Sequence, residues 1–510
     1  MTLPAPISPI FSTSSDPNIR LVERLSAKLA QANIEYDKFD RYYTGDQPMA
    51  FLAPEVQAQL GNRLAPLVIN WPETITDSVN RRISNEGFLL GQGGNADDEL
   101  WRIWTANGMH EDAPLGQVDA LVHGLGFISV WGNEDDPQTP FMAFESAHQM
   151  QVLYEPGTGD RVVSAALKRW SDDDGRTFST LYLPDRVIRY VSKSNVPNTA
   201  SQLVVDQVLD NPLGAVPIVP LVNRGRLLNR EGRSELASIA PIADGINELA
   251  TGLMATAEFY LTPRRYATGL QMSADPAERE RLQAEAEAYW DRAAKQKTLL
   301  GGAGVQFGQF PEADLIGFVS GINLLTSALA AIGGLPPDDL GLNQVNPASA
   351  EARRAAETVL VLRAKEKQSA FGRAYTRAMR LAIAARDGVP LRSLPTEYAR
   401  MSIDWQDPAT PAISQEMDAA VKGKEAGIYD TEAAQQRVGM GPAERLAVKA
   451  RAQEAADLST TADVRARMAT ARELVRTDGL TLNAAMAAVG LLQAASVNST
   501  EQGPSTAQSA

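Results

Sequence analysis

HGLGFISVW, residues 123–131, is where the chain passes from one kind of structure to another. Upstream, from Trp71 to His123, the stretches NWPETITDSVNRR, DDELWRIWTANG and DAPLGQVDALVHG space their apolar residues as helices do. Each is bounded by Gly, Pro or Asp, which predicts three short helices. Downstream, from Phe127 to Val222, the period falls to about two in FISVW, FMAFE, QMQVLYE, VVSAALKRW, TFSTLYL, RVIRYVS and PIVPLV. The turn-forming DDP, PGTGD, DDDG and NPLG lie between them, and an antiparallel β region is expected. At the junction, Gly124 is expected to cap a helix and Gly126 to make a tight turn. The letters GLGF also close the carboxylate loop of PDZ domains, but that loop lies near the start of a β-rich unit. Here three helices precede it.

Outward from the junction the pattern is helical. Asp16 and Pro17 suit a helix start, and Ile19, Leu21, Val22, Leu25, Leu29 and Ile34 recur near helical spacing in a helix expected to stop before RYYTGDQP. Beyond Gly232, the residues Leu236, Ile239, Ile242, Ile246, Leu249, Leu253 and Ala257 form one apolar seam from Ser234 to about Leu261. A mixed segment, Thr262 to Pro311, holds PRRYATG, the charged AERERLQAEAEAYWDRAAKQ and the glycine-rich GGAGVQFGQF. LIGFVSGINLLTSALAAIGGL, Leu315 to Leu335, carries no charge over a length that could cross a bilayer. Its glycines and polar residues, with Asp314 and Asp338-Asp339 as flanks in place of Lys or Arg, favour a packed helix, and no membrane contact is expected. GGLPPDDLGLNQVNPAS then breaks the helix. A long helix is expected from about Ser349 to Arg386; between Ala348 and Arg380 it holds 8 Lys+Arg against 3 Glu, in a chain of net charge −14. That bias fits a solvated face or one paired with acidic neighbours, and a DNA-facing stripe is the alternative. Short Ala/Glu/Arg-rich helices follow, and the tail VNSTEQGPSTAQSA is expected to be disordered.

Composition excludes several functions. With no cysteine there are no disulfides, thiolate nucleophiles or thiolate zinc sites. MTLPAPISPIFSTSSDP has no basic start followed by an apolar run, so no signal peptide is expected. Residues 95–190 hold 16 Asp+Glu against 7 Lys+Arg, which argues against strong, static DNA binding. No phosphate-cradling GxxxxGK[ST] and no GxSxG is present, and GGAGVQFG lacks a dinucleotide context. His110, His123 and His148 have no metal-ligand spacing and read as helix-end or surface residues, so no metal or cofactor is expected. Asp172, Asp173 and Asp174 could hold Mg²⁺ for a nuclease, yet DDDGR between two strands reads as a hairpin turn with Gly175 at positive φ. A large chain with no catalytic signature, part α+β and part long helix, suggests a function of shape rather than chemistry.

The residues then resemble, in order along most of the chain, the portal proteins of tailed bacteriophages of the long-tailed branch. FDRYYTGDQPMAF and VINWPETITDSVNRRISNEGF are similar to the family's opening YY-G and NWP segments. LWRIWTANGM and DALVHGLGFISVW resemble those that follow, as do NPLGAVPIVPLVNRGRLLNREGRSEL and AEFYLTPRRYATG. GLPPDDLGLNQVNPASAEARRAAE is similar to the family's GLPP…NP-SAEA junction.

The resemblance implies an α+β portal fold with a mixed wing, long stem helices, a small clip and a helical crown. Mapped onto this chain, it implies a wing over 1–232, a first stem helix over 233–261, a clip over 262–311 and a second stem helix over 312–332. A tunnel loop over 333–347, a long wing helix and return over 348–410, a crown over 411–495 and a disordered tail over 496–510 complete it. Stem packing is then expected of Leu236, Ile239, Ile242, Ile246, Leu249, Leu253, Ile316, Val319, Ile322, Leu325 and Leu329. Leu335, Pro336, Pro337, Asp338, Asp339, Leu340 and Asn343 are expected to face double-stranded DNA in the tunnel. The family implies a homo-oligomeric ring, usually of twelve copies, at one capsid vertex of the virion, assembled in the host cytoplasm. There it nucleates the shell with the major capsid and scaffolding proteins, docks the terminase large subunit, passes DNA without sequence specificity and later holds a head-tail adaptor. No enzymatic activity is implied. Another head-tail connector is the nearest alternative, and a Mg²⁺ nuclease the more distant one.

Overall fold

A computed structural model describes residues 16–48, 67–91, 97–157, 162–174, 176–192, 203–227, 230–260, 315–342, 350–409, 413–428, 430–438 and 440–489, with short pieces between 265 and 309. The chain divides into two units, Met1–Thr410 and Pro411–Ala510.

The first unit opens with α1 (Pro17–Thr44), whose Asp16 Oδ1 accepts from the Asn18 N–H at 2.8 Å. Val22, Leu25 and Leu29 are buried, whereas Ile34 is exposed, so the expected apolar stripe ends earlier than its spacing suggested. The helix also runs through RYYT to Gly45, which caps it in the left-handed region, instead of stopping before it. Tyr42 Oη donates to Asp244 at 2.8 Å and Tyr43 Oη to Asp77 at 3.0 Å. The two tyrosines are packing residues, and that is why the helix continues through them. Asn70 Nδ2 donates to the Tyr43 carbonyl at 2.8 Å, which ties the start of α2 (Trp71–Asn80) to the end of α1.

α3 (Asp98–Ala106) and α4 (Met109–His123) follow, but a strand, β1 (Asn85–Leu89), precedes them and pairs antiparallel with β12 (Ser402–Trp405). The helical reading of residues 71–123 missed it, because five residues whose partner lies more than 300 positions away carry little pattern of their own. Asn107 explains a polar residue at a helix end. Its Nδ2 donates to Ile103 and Pro140 carbonyls, both at 2.9 Å, and its Oδ1 accepts from Met142 N–H at 2.9 Å.

β2 (Leu125–Trp131) is the middle of a three-stranded antiparallel sheet between β3 (Phe141–Glu145) and β9 (Ile218–Val222). Phe127 is fully buried there, so GLGF opens a central strand and not a peptide-binding loop. Gly124 caps α4 at φ +88, as expected. Gly126 makes no turn; it lies in β2, where a Cβ would sit 3.2 Å from the Gly116 carbonyl oxygen, so its role is to let α4 approach the sheet.

The second sheet is a five-stranded meander of β4 (Met150–Tyr154), β5 (Val163–Ser171), β6 (Thr177–Tyr182), β7 (Arg186–Ser192) and β8 (Leu203–Asp210). β8 was not expected from the sequence: it is an edge strand exposed along nearly its whole length, so it shows no alternation of buried and exposed residues. Asp172 and Asp174 pair with Arg176 across the β5–β6 turn at 3.0 and 3.1 Å, the geometry of a closed hairpin; Gly175 lies outside the described residues.

After a short 3₁₀ turn at Leu236–Ser238 come α5 (Ala240–Tyr260), the hairpin β10 (Arg265–Thr268) with β11 (Gln306–Gln309), and α6 (Leu315–Gly333). α5 therefore begins several residues after the Ser234 start read from the seam. The expected charged helix between β10 and β11 lies largely outside the described residues, as does the tail 496–510. α7 (Ala350–Asp387) is the longest helix described, 38 residues. Its second half enters the core beside β2 and β9, with Phe371, Tyr375 and Met379 at zero exposure against Trp104 and Phe88. Gln117 Nε2 donates to Tyr375 Oη at 2.8 Å inside this core. The second unit holds α8 (Ile413–Glu425), α9 (Thr431–Arg437), α10 (Pro442–Asp478) and α11 (Leu482–Ala488).

Candidate functional site

The sequence places four unusual features close together in the fold: a helix pair, an acidic loop, a buried carboxylate and a cationic cleft. The helix pair is α5 with α6. A Cβ at Gly245 would lie 3.2 Å from Leu325, one at Gly321 3.1 Å from Leu249, and one at Gly252 3.2 Å from Phe318. Climbing α5 while descending α6 keeps this register, so the two are antiparallel and each small residue admits a large one opposite. Of the expected packing residues, Leu236, Ile239, Ile246 and Leu329 are buried, and Ile242, Leu249, Leu253, Ile322 and Leu325 partly so.

Ile316 and Val319, expected to pack in the stem, are 76% and 47% exposed in the single chain. The outer side of α6 carries Ile316, Ser320, Asn323, Leu324 and Ser327, all exposed and none charged. By length and composition this is a helix that could cross a membrane. Its buried side is specific, however, because glycine and leucine interlock along α5.

At the end of α6 the chain turns through Gly334, at φ +70, and the Leu335 N–H donates to the Ala330 carbonyl at 3.0 Å, a helix-stop motif that needs glycine. Residues Pro337–Leu340 form a 3₁₀ turn closed by Gly341. Leu335 and Leu340 are 5% and 3% exposed, in one cluster with Ile75, Ile246 and Leu329, and Pro336 is buried too. These three were expected to face DNA; they anchor the loop, because apolar side chains next to a core are worth more inside it. Pro337, Asp338 and Asp339 are exposed, and Asp339 pairs with Arg353 of α7 at 3.4 Å. Asn343 lies outside the described residues.

Behind the loop sits Glu235, 2% exposed. It accepts from Lys367 Nζ at 2.6 Å, Arg224 Nε at 2.7 Å and Arg363 Nη2 at 2.5 Å. Asn223 completes the knot, its Oδ1 accepting from Lys367 at 2.6 Å and its Nδ2 donating to the Arg233 carbonyl at 2.8 Å. Arg224 is held at φ +49, a left-handed conformation that costs a non-glycine residue roughly 1–2 kcal/mol. Gly232 is at φ +84, and a Cβ there would fall 2.0 Å from the Gly124 carbonyl oxygen. Burial by itself would raise the Glu235 carboxyl, but Lys367, Arg363 and Arg224 outweigh it and hold it at about 2. Burial pushes Lys367 below the ordinary lysine value against the pull of Glu235. The knot joins the end of β9, the approach to α5 and the middle of α7.

Next to the knot, a cleft of about 1510 Å³ runs between α7 and the segment after β9. Among its described lining residues seven are Arg or Lys, including Arg226, Arg230, Arg373, Arg377 and Arg380, and Glu366 is the acidic one. The basic bias of α7 thus divides: Arg353, Arg363, Lys365 and Lys367 pair with acidic groups, while Arg373, Arg377 and Arg380 give the cleft a positive potential.

The residues that make these joints are those of the motifs. The YY-G and NWP segments meet through Asn70 and Tyr43, NR and SEL meet in the Glu235 knot, and GLPP is the helix stop with its anchor. Compared with known proteins, the chain matches the family described as phage portal protein, SPP1 Gp6-like, over residues 23–455. This chain belongs to the phage portal protein family. Portal proteins of Mycobacterium phages D29 and L5 are each 31% identical, over 441 and 446 residues, with 84% of this chain covered in both cases and 87% and 86% of theirs. Among solved structures, the virion of a native gene transfer agent particle contains a chain with TM-score 0.42 and 13% identity, covering 81% of this chain and 99% of its own. The neck of the same kind of particle, computed with C12 symmetry, gives 0.40 and 15%, covering 76% and 95%.

Sequence reasoning missed the Glu235 knot and a second constellation in this portal-family chain. His123 and His148, read as unrelated, both meet Asp40, whose partners lie 83 and 108 positions away. No local spacing could signal it. His110 is exposed on the first turn of α4, a helix-end residue as expected.

Proposed function

We propose that copies of this chain close into a ring, of about twelve as the family resemblance implies, that conducts double-stranded DNA through one vertex of the virion capsid. α5 and α6 serve as stem helices, the hairpin β10–β11 lies in the clip, and α8 to α11 belong to the crown. The ring assembles with the major capsid and scaffolding proteins, docks the terminase large subunit during packaging and afterwards holds a head-tail adaptor. Fuel is consumed by the motor, and this chain contributes geometry and no catalysis.

The observation that carries this reading is the outer side of α6. An uncharged helical surface, exposed in one copy and backed by a tightly packed partner helix, is suited to the same contact repeated around a closing rotation. The anchored loop adds a second feature. Among its described residues the acidic stretch Pro337 to Asp339 is exposed to meet a passing duplex, and carboxylates there repel phosphate and keep DNA sliding. Replacing Asp338 and Asp339 by lysine should slow packaging of DNA in a reconstituted terminase assay and leave ring formation intact. Fold stability should change by less than about 1 kcal/mol, since the Asp339–Arg353 pair is exposed. Packaging at the unsubstituted rate would remove the loop tip from the DNA path.

A further inference from the structure

Asp40, on the last turns of α1, His123, the final residue of α4, and His148, in the β3–β4 connection, converge from three elements. Asp40 Oδ1 lies 2.7 Å from His123 Nε2, and Oδ2 lies 2.6 Å from His148 Nε2. Both rings therefore present the same nitrogen to one carboxylate, and the three ligand atoms lie within 4.8 Å of one another. We propose that these three side chains bind a divalent transition cation, with Zn²⁺ the best match, and that the bound ion locks α1 to α4 and the β3–β4 connection.

Two imidazoles and a carboxylate are borderline donors that suit Zn²⁺, Co²⁺ or Ni²⁺, while Mg²⁺ and Ca²⁺ prefer all-oxygen sites. An ion bonded at about 2.0–2.2 Å to each group would replace the two hydrogen bonds to Asp40 and needs only small side-chain movements to enter. Binding through Nε2 takes the neutral imidazole with its remaining proton on Nδ1, so the protons now shared with Asp40 leave to solvent or move to Nδ1; His123 Nδ1 is buried with no hydrogen-bond partner among the described residues, and a proton there is a cost the metal bonds must offset. His148 Nδ1 lies 3.8 Å from Asp37 Oδ1, beyond hydrogen-bond distance, so Asp37 acts as a nearby charge rather than as an orienting partner.

Access is one-sided. The side chains of Asp40 and His148 are 42% and 27% exposed, whereas His123 is 3% exposed and forms the inner wall. The Tyr36 ring packs against both imidazoles, at 4.9 and 5.6 Å between centroids, and closes the apolar side. Three protein ligands with solvent on the fourth side leave one coordination position open to water.

The full-length chain, stripped with chelator and then titrated with ZnCl₂, should retain about one zinc per chain after gel filtration and melt at a higher temperature. Co²⁺ in its place should give the visible absorption of a low-coordinate nitrogen-oxygen site. Asp40→Asn and His148→Gln, both at solvent-facing positions, should weaken zinc retention at least tenfold and abolish the Co²⁺ spectrum while circular dichroism stays unchanged. Zinc not retained by the wild-type chain, or retained equally by the Asp40→Asn/His148→Gln double variant, would overturn the proposal and leave a hydrogen-bonded clamp. If the variants fail to fold, an absent Co²⁺ spectrum in the wild-type chain overturns it by itself.

Discussion

Glu235→Gln should destabilise the first unit by roughly 3–5 kcal/mol, the range found when one member of a buried charge cluster is removed. The amide is nearly isosteric, so packing is retained and the loss is electrostatic: Lys367 and Arg363, at 6% and 12% side-chain exposure, would be left without their carboxylate. Strain at Arg224 would lose its compensation as well. The same residue sets a pH dependence. Its carboxyl is held at about 2, below the ordinary 4.5, so its contribution is full above about pH 4.5 and disappears as the pH falls toward 2. In urea titrations at equal protein concentration, the gap between wild type and Glu235→Gln should be widest near neutrality and close progressively below pH 4.5. A gap of constant size from neutrality down to pH 2 would mean the carboxylate is not what the three cations require.

Aspartate at Ile316 and Leu324 should sharply weaken assembly and spare the fold. In a single chain these side chains are 76% and 71% exposed, so charging them costs the monomer little. In a closed ring each would be covered by the adjacent copy. Burying an Ile or Leu contributes about 1.5–3 kcal/mol, so losing both should raise the concentration needed for association roughly a hundredfold or more. Sedimentation velocity of the double variant beside Ile34→Asp, on an exposed residue of α1, separates the effect of location from that of charge. Equal assembly by the α6 variant and the wild type would place the subunit contact elsewhere.

Much of this was legible in the sequence because it rests on local physics. The period change at Gly124 sets the helix-to-strand switch, and DDDGR closes a hairpin in which Asp172 and Asp174 pair with Arg176. The α5 seam is the packing face of a real helix, although its first turn is 3₁₀ and Leu236 and Ile239 precede or open it. What stayed hidden depends on partners distant in the chain. β1 acquires its identity from β12, β8 from β7, and the Asp40 cluster from two histidines that no spacing relates. The loop after α6 was half legible: its glycine and prolines mark a break, but whether Leu335 and Leu340 turn inward depends on Ile75 and Leu329, which sequence could not place beside them. The same limit governs Ile316 and Val319, whose exposure in one chain is not signalled by their spacing along α6.

Direct imaging of the purified full-length chain by single-particle electron microscopy tests the central claim. The account requires closed rings of about twelve copies, with α6 at the contact between neighbours and a central opening able to pass duplex DNA. Isolated single chains at every protein concentration and salt tried, with the outer side of α6 still open to solvent, would contradict it.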